Sequence, residues 1–372
     1  MPASSPVRIA YDGAIYNSTR EGGISRYYTH LIEQLAILSP TWQFDIHVAE
    51  TGSTLCLPEA DNIAVYGRGH LKSRLCSPLN YLNLRKRISR TNPQVIHATL
   101  GRPFPWQKCP TVTTIHDLIQ HRVSQYYGDR RYNRARRLWE RSARSSSGVI
   151  TVSETSKQDI LEILGADPAK VFVTHPGVNR HMRPSSTEEI DAYRSERQLW
   201  RPYILYVGHR GEHKNFALLA KAFADSGGLR DFDLVVVGGE DEIADKELLK
   251  LAIQRRLHHW RGVGDQELRL IYGAAAALVF PSIYEGFGFP LVEAMACGTP
   301  IAASDIPSTR EVCAGACVFF DLGDPADCSA AILRATERTT GRQLARRGLA
   351  RASEFTWEEC ARKTKKVYES LL

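Results

Sequence analysis

The sequence lacks the apolar segments that mark membrane-spanning and secreted proteins. No run of about 18 apolar residues occurs, so no transmembrane helix is expected. Residues 1–6 are polar and lack the basic and then apolar order of a signal peptide. From these two absences we predict a cytoplasmic protein.

Several metal and cofactor signatures are also missing. The eight cysteines are scattered and form no CxxC pair, which favours reduced, buried thiols over a zinc site. No convincing HExxH, DxD or P-loop motif occurs. No GxGxxG sequence follows a predicted strand, which argues against an NAD-dependent oxidoreductase. We therefore expect neither a bound metal ion nor an organic cofactor.

Length and composition indicate a folded protein with two domains. The 372 residues are too many for one ordinary core, and the hydrophobic (43%) and charged (24%) contents are typical of globular proteins. Short β-branched segments alternate with helical patterns, and the alternation restarts near residue 203. The predicted strands are residues 7–11, 44–48, 95–97, 112–116, 149–152 and 171–174, followed by 203–207, 234–237, 277–280, 300–303 and 316–319.

This alternation predicts two doubly wound α/β domains, each built on a parallel sheet with helices on both faces. We place the domains at residues 1–178 and 179–355, with a final helical segment at 356–372. Ligands bind beyond the carboxyl ends of the strands in such sheets. A cleft between the two domains is therefore the expected site.

The most informative stretch begins at Pro281 and ends at Pro300. Glu285 lies in a glycine-rich loop that permits close approach of the backbone to a ligand, and Pro290 suits the first turn of a helix. Free N–H groups at the start of that helix suit a phosphate, and Glu293 is expected in the first helical turn. Each glutamate alone is more often structural, but the combination indicates a binding site.

A second candidate is the loop that begins at Gly208 and follows a predicted strand. Arg210 and Lys214 lie four residues apart in it, where they can clamp a diphosphate and offset charge on a leaving nucleotide. Ordinary surface cations are the alternative. The strand–loop–helix context favours a functional loop, because such loops bind anions at the start of the helix.

Two weaker candidates lie in the first domain. Gly22 and Gly23 open a predicted helix and can admit an anion to its amide groups, although paired glycines are also common in plain loops. His116 ends a predicted strand and can donate a hydrogen bond to a sugar hydroxyl, although a lone histidine often only caps a strand. His97 occupies a similar position at the end of another strand.

The stretch that contains Glu285 and Glu293 resembles the E-x7-E motif of the family-4 retaining glycosyltransferases. These enzymes have the GT-B fold of two facing Rossmann-like domains, and the resemblance extends over nearly the whole chain. It implies that Glu285 contacts the donor sugar and that Glu293 holds the nucleotide ribose. It also implies that backbone N–H groups near Phe287, Gly288 and Phe289 meet the sugar and the phosphates.

The resemblance assigns roles to the other candidates as well. Family members carry an Arg and a Lys matching Arg210 and Lys214 as diphosphate ligands. The loop at Gly22 and Gly23 matches the glycine loop beside the donor phosphates. The histidine matching His116 contacts the 6-hydroxyl of a hexose, and the segment 356–372 resembles the final helix that crosses back to the first domain.

The implied activity is the retaining, metal-independent transfer of a hexose from a UDP- or GDP-sugar, of the GDP-mannose or UDP-glucose type. The implied acceptor is a glycan or a lipid-linked molecule in cell-surface polysaccharide synthesis, such as lipopolysaccharide assembly. One alternative is a sugar-nucleotide epimerase of the same architecture, against which the E-x7-E stretch argues. Another is a non-catalytic nucleotide-sugar-binding protein, against which the intact set of candidate residues argues.

The net charge of +7 comes in large part from a basic run that begins at Arg122 and ends at Arg144. Such a run attracts anionic lipid head groups, which suggests peripheral contact with the inner face of a membrane. A solvated helix face explains the run equally well. Aromatic residues interleave with the arginines, but no nucleic-acid-binding fold signature accompanies them, so we predict no nucleic-acid partner.

Overall fold

The structure is a computed structural model that describes residues 6–17, 22–48, 57–67, 78–99, 108–124, 129–239 and 256–372. For residues 78–82, 129–132 and 134–136 it describes the backbone. The chain divides into two compact units. The first unit contains Met1–Gly177 together with Thr356–Leu372, and the second contains Val178–Phe355.

The first unit is built on a seven-stranded parallel sheet with the strand order β3-β2-β1-β4-β5-β6-β7. Its central strands are buried along their length, as expected for a parallel sheet covered on both faces. The strands are β1 (Arg8–Tyr11), β2 (Gln43–His47), β3 (Ile63–Tyr66), β4 (Val95–Ala98), β5 (Thr111–Thr114), β6 (Gly148–Thr151) and β7 (Val171–Val173).

Helices lie between most of these strands along the chain. The described helices are α1 (Gly23–Leu38), α2 (Pro78–Arg90), the short α3 (Ile119–Arg122), α4 (Asp129–Ser145) and α5 (Glu154–Leu164). Helix α1 buries an apolar stripe that includes Leu31, Ile32 and Leu35, at the spacing of a helix that faces a core.

The second unit repeats the design with a six-stranded parallel sheet in the order β10-β9-β8-β11-β12-β13. The strands are β8 (Tyr203–Val207), β9 (Asp233–Val237), β10 (Leu257–Trp260), β11 (Ala277–Phe280), β12 (Ile301–Ser304) and β13 (Val318–Phe320). Two such sheets confirm the predicted α/β architecture of two Rossmann-like units.

The described helices of the second unit flank its sheet. They are α6 (Thr187–Glu196), α7 (Phe216–Asp225), α8 (Asp265–Ala274), α9 (Phe289–Cys297), α10 (Pro307–Cys313), α11 (Pro325–Thr336) and α12 (Arg338–Ala352). Helix α6 lies in the polar segment where the sequence showed no strand. An ion pair between Glu189 and Arg269 (2.6 Å) joins it to α8.

The sequence analysis did not predict strands β3 and β10, and both lie at the edge of their sheets. Their side chains are mostly half-buried or exposed, so their sequences do not show the continuous apolar run of a central parallel strand. In β10 the residues His258 and His259 replace the apolar residues of the neighbouring β9.

The chain ends in helix α13 (Trp357–Glu369), which belongs to the first unit and packs against α1. Thr356 caps its start, because its side-chain oxygen accepts a hydrogen bond from the Glu359 amide (3.1 Å). A Cβ on Gly177 would lie 2.2 Å from the backbone nitrogen of Trp357, so only glycine permits this close approach.

A buried polar network joins α13 to the first sheet. The Tyr368 hydroxyl lies 2.8 Å from the Tyr11 hydroxyl and 2.6 Å from His97 Nδ1. The other ring nitrogen of His97 lies 2.7 Å from Thr114 Oγ1. His97 is fully buried and saturated with partners, so its role is structural.

We expect Tyr368→Phe to lower the free energy of unfolding by about 1–3 kcal/mol, because it leaves His97 Nδ1 and the Tyr11 hydroxyl buried without this partner. Urea denaturation of the purified protein measures the change. Glu369→Gln, at the next position of the same helix, is the control and should change stability by less than about 0.5 kcal/mol. Equal stability of the two variants would contradict the structural role of the network.

Stability should also fall in mild acid. Burial lowers the pKa of His97 to about 3 and that of His47 to about 4, with His116 and Arg87 as the respective secondary causes. In the unfolded chain these histidines bind a proton near pH 6.5, whereas in the folded chain they bind it only at the lower pKa values. The free energy of unfolding is therefore highest above pH 6.5 and decreases as the pH falls below it. Each histidine should contribute about 1.4 kcal/mol per pH unit between pH 6 and 4. Urea denaturation at pH 7 and pH 5 tests this, and equal midpoints would refute it.

Candidate active site

Two loops of the second unit, one after β8 and one after β11, meet at the same edge of the sheet. They meet because β8 and β11 are neighbouring parallel strands, so their carboxyl ends point the same way. The Ile283 amide donates a hydrogen bond to the His213 carbonyl (2.8 Å), which ties one loop to the other. The sequence predicted both loops separately, and the sheet brings them together.

The side chains of these loops form an ion pair. Lys214 Nζ lies 2.6 Å from Glu285 Oε1, and the two side chains are only 16% and 13% exposed. One of the three N–H donors of Lys214 serves Glu285, which leaves two for a ligand, and Glu285 keeps a second carboxylate oxygen as acceptor. The arrangement therefore presents both a cationic donor and an anionic acceptor within one site.

Arg210 lies in the loop after β8 and reaches the loop after β9. Its Nη1 donates to the Gly238 carbonyl (3.4 Å), and His259 Nε2 lies 2.9 Å from the same oxygen. The Gly238 oxygen has two lone pairs, so it can accept from both groups. The guanidinium also lies over the ring of Phe216, 5.9 Å from its centre. These contacts hold the charge of Arg210 in one orientation.

Glycine is required where Arg210 passes the backbone. Gly238 and Gly239 have φ angles of +91° and +74°, a region that L-residues rarely adopt. A Cβ on Gly239 would lie 2.7 Å from Arg210 Nη1. Gly208, with φ +142°, donates its amide to the Val237 carbonyl (2.9 Å) at the ends of β8 and β9. The Arg210 guanidinium therefore occupies space that a side chain at Gly239 would fill.

The loop before α9 has a fixed geometry of its own. Gly288 caps the helix with φ +96°, and a Cβ there would lie 3.0 Å from Leu291 Cδ1. The ring of Phe287 is 4% exposed and packs edge-on against Phe289 and Phe355. Pro290 lies in the first turn, as predicted. The ring of Phe287 is therefore an internal anchor, so a ligand at this residue would meet the backbone of the loop.

The prediction that Glu293 lies in the first turn of its helix is wrong. Helix α9 begins at Phe289, before Pro290, so Glu293 falls beyond the first turn. Its Oε2 accepts a hydrogen bond from the Tyr272 hydroxyl (2.8 Å) instead. Burial raises the pKa of Tyr272 well above its ordinary value, and Glu293 raises it further, so Tyr272 is a neutral donor. Tyr272 orients Glu293, a role that no sequence motif indicates.

Two histidines without a predicted role lie beside the ion pair. The rings of His209 and His213 are 5.2 Å apart, and His209 Nδ1 accepts a hydrogen bond from the Gly211 amide (3.1 Å). Burial, assisted by the charge of Lys214, lowers the pKa of His213 to about 4 and also lowers that of His209. Both imidazoles are therefore neutral at pH 7 and add no charge to the site.

The candidates of the first unit surround the start of α1. Gly22 caps this helix with an extended φ of −150°, and a Cβ on it would meet no atom within 4 Å. No backbone strain therefore demands glycine at Gly22, although the space beside it is open, and Gly23 is the first helical residue. Tyr27, one turn further on, packs edge-on against His116 at 4.8 Å.

His116 lies two residues beyond the end of β5 rather than within the strand. Its carbonyl accepts a hydrogen bond from Ser156 Oγ (3.0 Å), and Tyr27 and Tyr28 enclose its ring. Among the described residues, its Nε2 has no hydrogen-bond partner. Burial lowers the pKa of His116 to about 4, so the ring is neutral and can offer Nε2 to a ligand.

The basic run is only partly described. Arg122 pairs with Asp159 (2.5 Å) and Glu162 (2.6 Å) on α5, and these carboxylates raise its pKa. The side chains of Arg137 and Arg144 are exposed on α4, and the others at 130, 131, 134 and 136 lie outside the described side chains. Arg122 therefore has a structural role, and exposed positive charge remains on α4.

In the described part of the chain, no helix combines the length and apolar character that a bilayer crossing requires. Over the same ranges, no group of three or more His, Cys, Asp or Glu side chains is arranged to hold a metal ion.

Two Rossmann-like units, with cationic and carboxylate side chains on strand-end loops of the second, define the GT-B class of glycosyltransferases. Residues 21–181 match the model "Glycosyltransferase Family 4", and residues 189–348 match "Glycosyl transferases group 1". The chain is 30% identical over 267 residues to the O-antigen chain mannosyltransferase B of Escherichia coli, which is 70% of each chain. The chain belongs to the family-4 glycosyltransferases.

A second relative agrees with this assignment, and solved structures share the fold. The chain is 30% identical to the O-antigen chain mannosyltransferase RfbU of Salmonella typhimurium, over 68% of this chain and 67% of that one. Sucrose-phosphate synthase from Thermosynechococcus elongatus has the same fold, with a TM-score of 0.79 at 20% identity over 98% and 99% of the two chains. WaaG, a glycosyltransferase involved in lipopolysaccharide biosynthesis, gives a TM-score of 0.77 at 15% identity over 98% and 99%.

We expect Gly239→Ala to weaken binding of GDP and UDP at least tenfold, because the new methyl group displaces the guanidinium of Arg210. Isothermal titration measures the affinity. Gly262→Ala is the matched control: it has φ +65° but open space around its Cβ, so it carries the backbone penalty of about 1 kcal/mol without the clash. Equal nucleotide affinity in the two variants would show that Arg210 is not a nucleotide ligand.

Proposed function

We propose that the protein is a retaining, metal-independent hexosyltransferase that uses a nucleotide-sugar donor, with GDP-mannose as the first candidate and UDP-glucose as the second. Its acceptor is a glycan or a lipid-linked saccharide of cell-surface polysaccharide assembly. The names of the relatives, O-antigen mannosyltransferases in two organisms, favour mannose. A structural neighbour, HepE of Anabaena, was solved with UDP and glucose, which keeps UDP-glucose in consideration.

The observation that carries this proposal is the ion pair of Lys214 and Glu285 beside the oriented Arg210. Arg210 and the two remaining donors of Lys214 bind the diphosphate and neutralise the charge that develops on the leaving nucleotide. Two fixed cations supply the stabilisation that a divalent metal ion supplies in other transferases. This is the physical basis for proposing metal independence.

The two glutamates hold different parts of the donor. Glu285, already paired with Lys214, accepts a hydrogen bond from a sugar hydroxyl through its second oxygen. Glu293, oriented by Tyr272, accepts hydrogen bonds from the ribose. The backbone amides near Phe287, Gly288 and Phe289 complete the site, and the buried ring of Phe287 anchors the loop that carries them.

Retention of anomeric configuration requires the acceptor hydroxyl to attack from the face that the nucleotide leaves. In the proposed reaction the bond between the anomeric carbon and the phosphate oxygen breaks, and the departing phosphate oxygen takes the proton of the acceptor hydroxyl. The new glycosidic bond then forms on the same face. From the first unit, His116 contributes a hydrogen bond to a sugar hydroxyl, and the amides at Gly22 and Gly23 contribute to phosphate binding.

The basic run supports a second part of the proposal, peripheral contact with an anionic membrane that carries a lipid-linked acceptor. The exposed arginines of α4, including Arg137, Arg141 and Arg144, attract anionic head groups by about 1 kcal/mol each near a membrane surface. Arg122 is excluded from this role by its ion pairs with Asp159 and Glu162.

We expect Glu285→Gln and Lys214→Ala each to reduce transfer at least 100-fold, because each removes a charge from the site of bond cleavage. Donors are first ranked by thermal stabilisation, since a ligand at 100 times its dissociation constant adds about 2.7 kcal/mol. Release of nucleoside diphosphate with a glycolipid acceptor then gives the rate. The one-bond coupling between the anomeric carbon and its proton in the product gives the stereochemistry.

Glu354→Gln is the control for charge loss, because Glu354 forms an exposed ion pair with Arg351 in the same unit. It should transfer at the wild-type rate. Activity should also survive EDTA. A wild-type rate in Glu285→Gln, an inverted product or complete loss of activity with EDTA would each refute the corresponding part of the proposal.

A further inference from the structure

A polar cavity, separate from the candidate active site, lies wholly within the first unit at the edge of its sheet. It has a volume of about 670 Å³, within the range of small-molecule sites. Strands β1, β2 and β3 form its floor, and the end of α2 forms a wall. Its described lining residues are Arg8, His47, Val65, Tyr66, Gly67, Arg87, Arg90 and Thr91.

Strand register explains why polar groups converge there. Arg8 pairs with Gln43 and His47 pairs with Tyr66, so alternation along β1, β2 and β3 directs these side chains to one face of the sheet. Helix α2 covers the inner part of that face, where Ile88 packs against Ala10 of β1. Beyond this apolar contact the floor turns polar.

The cavity wall formed by α2 is cationic. Arg90 and Thr91 lie three and four residues after Arg87, so they are its neighbours on one side of the helix and at its end. One nitrogen of Arg87 donates to the Val48 carbonyl (3.1 Å), which holds its guanidinium over the end of β2.

The floor adds a third guanidinium. Arg8 Nη1 lies 3.0 Å from Asp45 Oδ2 and 3.1 Å from Oδ1, so the fully buried Asp45 carboxylate balances one charge. The described lining residues include these three arginines and no carboxylate, so the described wall and floor are cationic. A site with this balance favours an anion.

His47 provides an independent sign of a binding site. Its side chain lines the cavity and the residue is 1% exposed, yet among the described residues neither ring nitrogen has a hydrogen-bond partner. Buried polar groups are nearly always satisfied, and an unsatisfied one costs about 1–3 kcal/mol. Burial and the charge of Arg87 lower the pKa of His47 to about 4, so the ring is neutral and offers one donor and one acceptor.

The ring of Tyr66 stacks on that of His47, with centres 5.0 Å apart and planes inclined by 15°. Tyr66 is 37% exposed, so it presents an aromatic face at the entrance of the cavity. Such a face suits the apolar side of a sugar ring, while the hydroxyl group of tyrosine stays polar. The ligand that fits both parts carries an anion and a saccharide.

We propose that this cavity binds the phosphate or carboxylate group of an anionic saccharide, with Arg8, Arg87 and Arg90 as cationic contacts and His47 as a hydrogen-bonding partner. The neutral part of the sugar stacks on Tyr66. The site belongs to the first unit, whereas Arg210 and Lys214 of the proposed donor site belong to the second. Its occupation therefore does not depend on the proposed transfer reaction.

The position along the sheet indicates what such a site contributes. Three strand intervals separate β2, which carries His47, from β5, which precedes His116. At about 4.8 Å per interval, the separation is roughly 14 Å along the sheet. An anionic sugar bound here is thus far enough from His116 to be a separate residue of a chain-like acceptor rather than the sugar held at His116.

The test is isothermal titration of the full chain with inorganic phosphate, mannose 6-phosphate, glucuronate and neutral mannose. Each titration is done in the Lys214→Ala background, so that anion binding at the proposed diphosphate site cannot mimic the result. We expect binding of at least one of the two anionic sugars and none of mannose. Binding of mannose 6-phosphate alone assigns the site to phosphate, and binding of glucuronate alone assigns it to carboxylate.

Arg90→Gln should weaken anion binding at least tenfold, because it removes one charge-assisted contact. Lys86→Gln, an exposed cation on the same helix that does not line the cavity, is the matched control and should bind as wild type. His47→Phe should also lose affinity tenfold while its melting temperature stays equal or rises, because the ring stack is kept and two unsatisfied nitrogens are removed.

The proposal is overturned if neither anionic sugar binds, if Arg90→Gln binds as tightly as Lys86→Gln, or if His47→Phe retains full affinity. Should His47→Phe fail to fold, the comparison of Arg90→Gln with Lys86→Gln decides by itself, because both residues are exposed. Donor binding by the wild-type chain is recorded in parallel. If no donor binds, the proposed transferase site is contradicted, whereas the proposed anion site is not affected.

Discussion

The ion pair between Lys214 and Glu285 depends on one constraint, the parallel adjacency of β8 and β11. The two residues are 71 positions apart, and they meet because both strands end at the same edge of the sheet. The hydrogen bond from the Ile283 amide to the His213 carbonyl then fixes the loops against each other. A site built this way has its charges placed before a ligand arrives, which limits the reorganisation needed during transfer.

Glycine and buried aromatic residues fix the shape of the loops that follow the strands of the second sheet. Gly238 and Gly239 let the guanidinium of Arg210 lie against the backbone, and the buried ring of Phe287 anchors the loop before α9. Tyr272 holds Glu293 from the neighbouring helix. Rigid surroundings of this kind suit a family whose members share a fold and differ in the sugar they carry.

Neutral buried histidines recur through the first unit, with different consequences. His97 is saturated by Tyr368 and Thr114 and joins the final helix to the sheet. Both ring nitrogens of His47 and Nε2 of His116 have no partner among the described residues. The same residue type therefore serves as structure in one place and as an open hydrogen-bonding position in two others, and the difference lies in the neighbours that the fold supplies.

The sequence by itself determined the two α/β units, because buried parallel strands need continuous β-branched runs and strand-end loops need glycine. It also indicated Arg210, Lys214 and Glu285, since charged residues directly after such strands lie at a binding edge. Tertiary structure alone decided the pairing of Lys214 with Glu285, the orientation of Glu293 by Tyr272, and the edge strands β3 and β10. These features arise from contacts between residues distant in sequence, and local periodicity does not predict which distant residues meet.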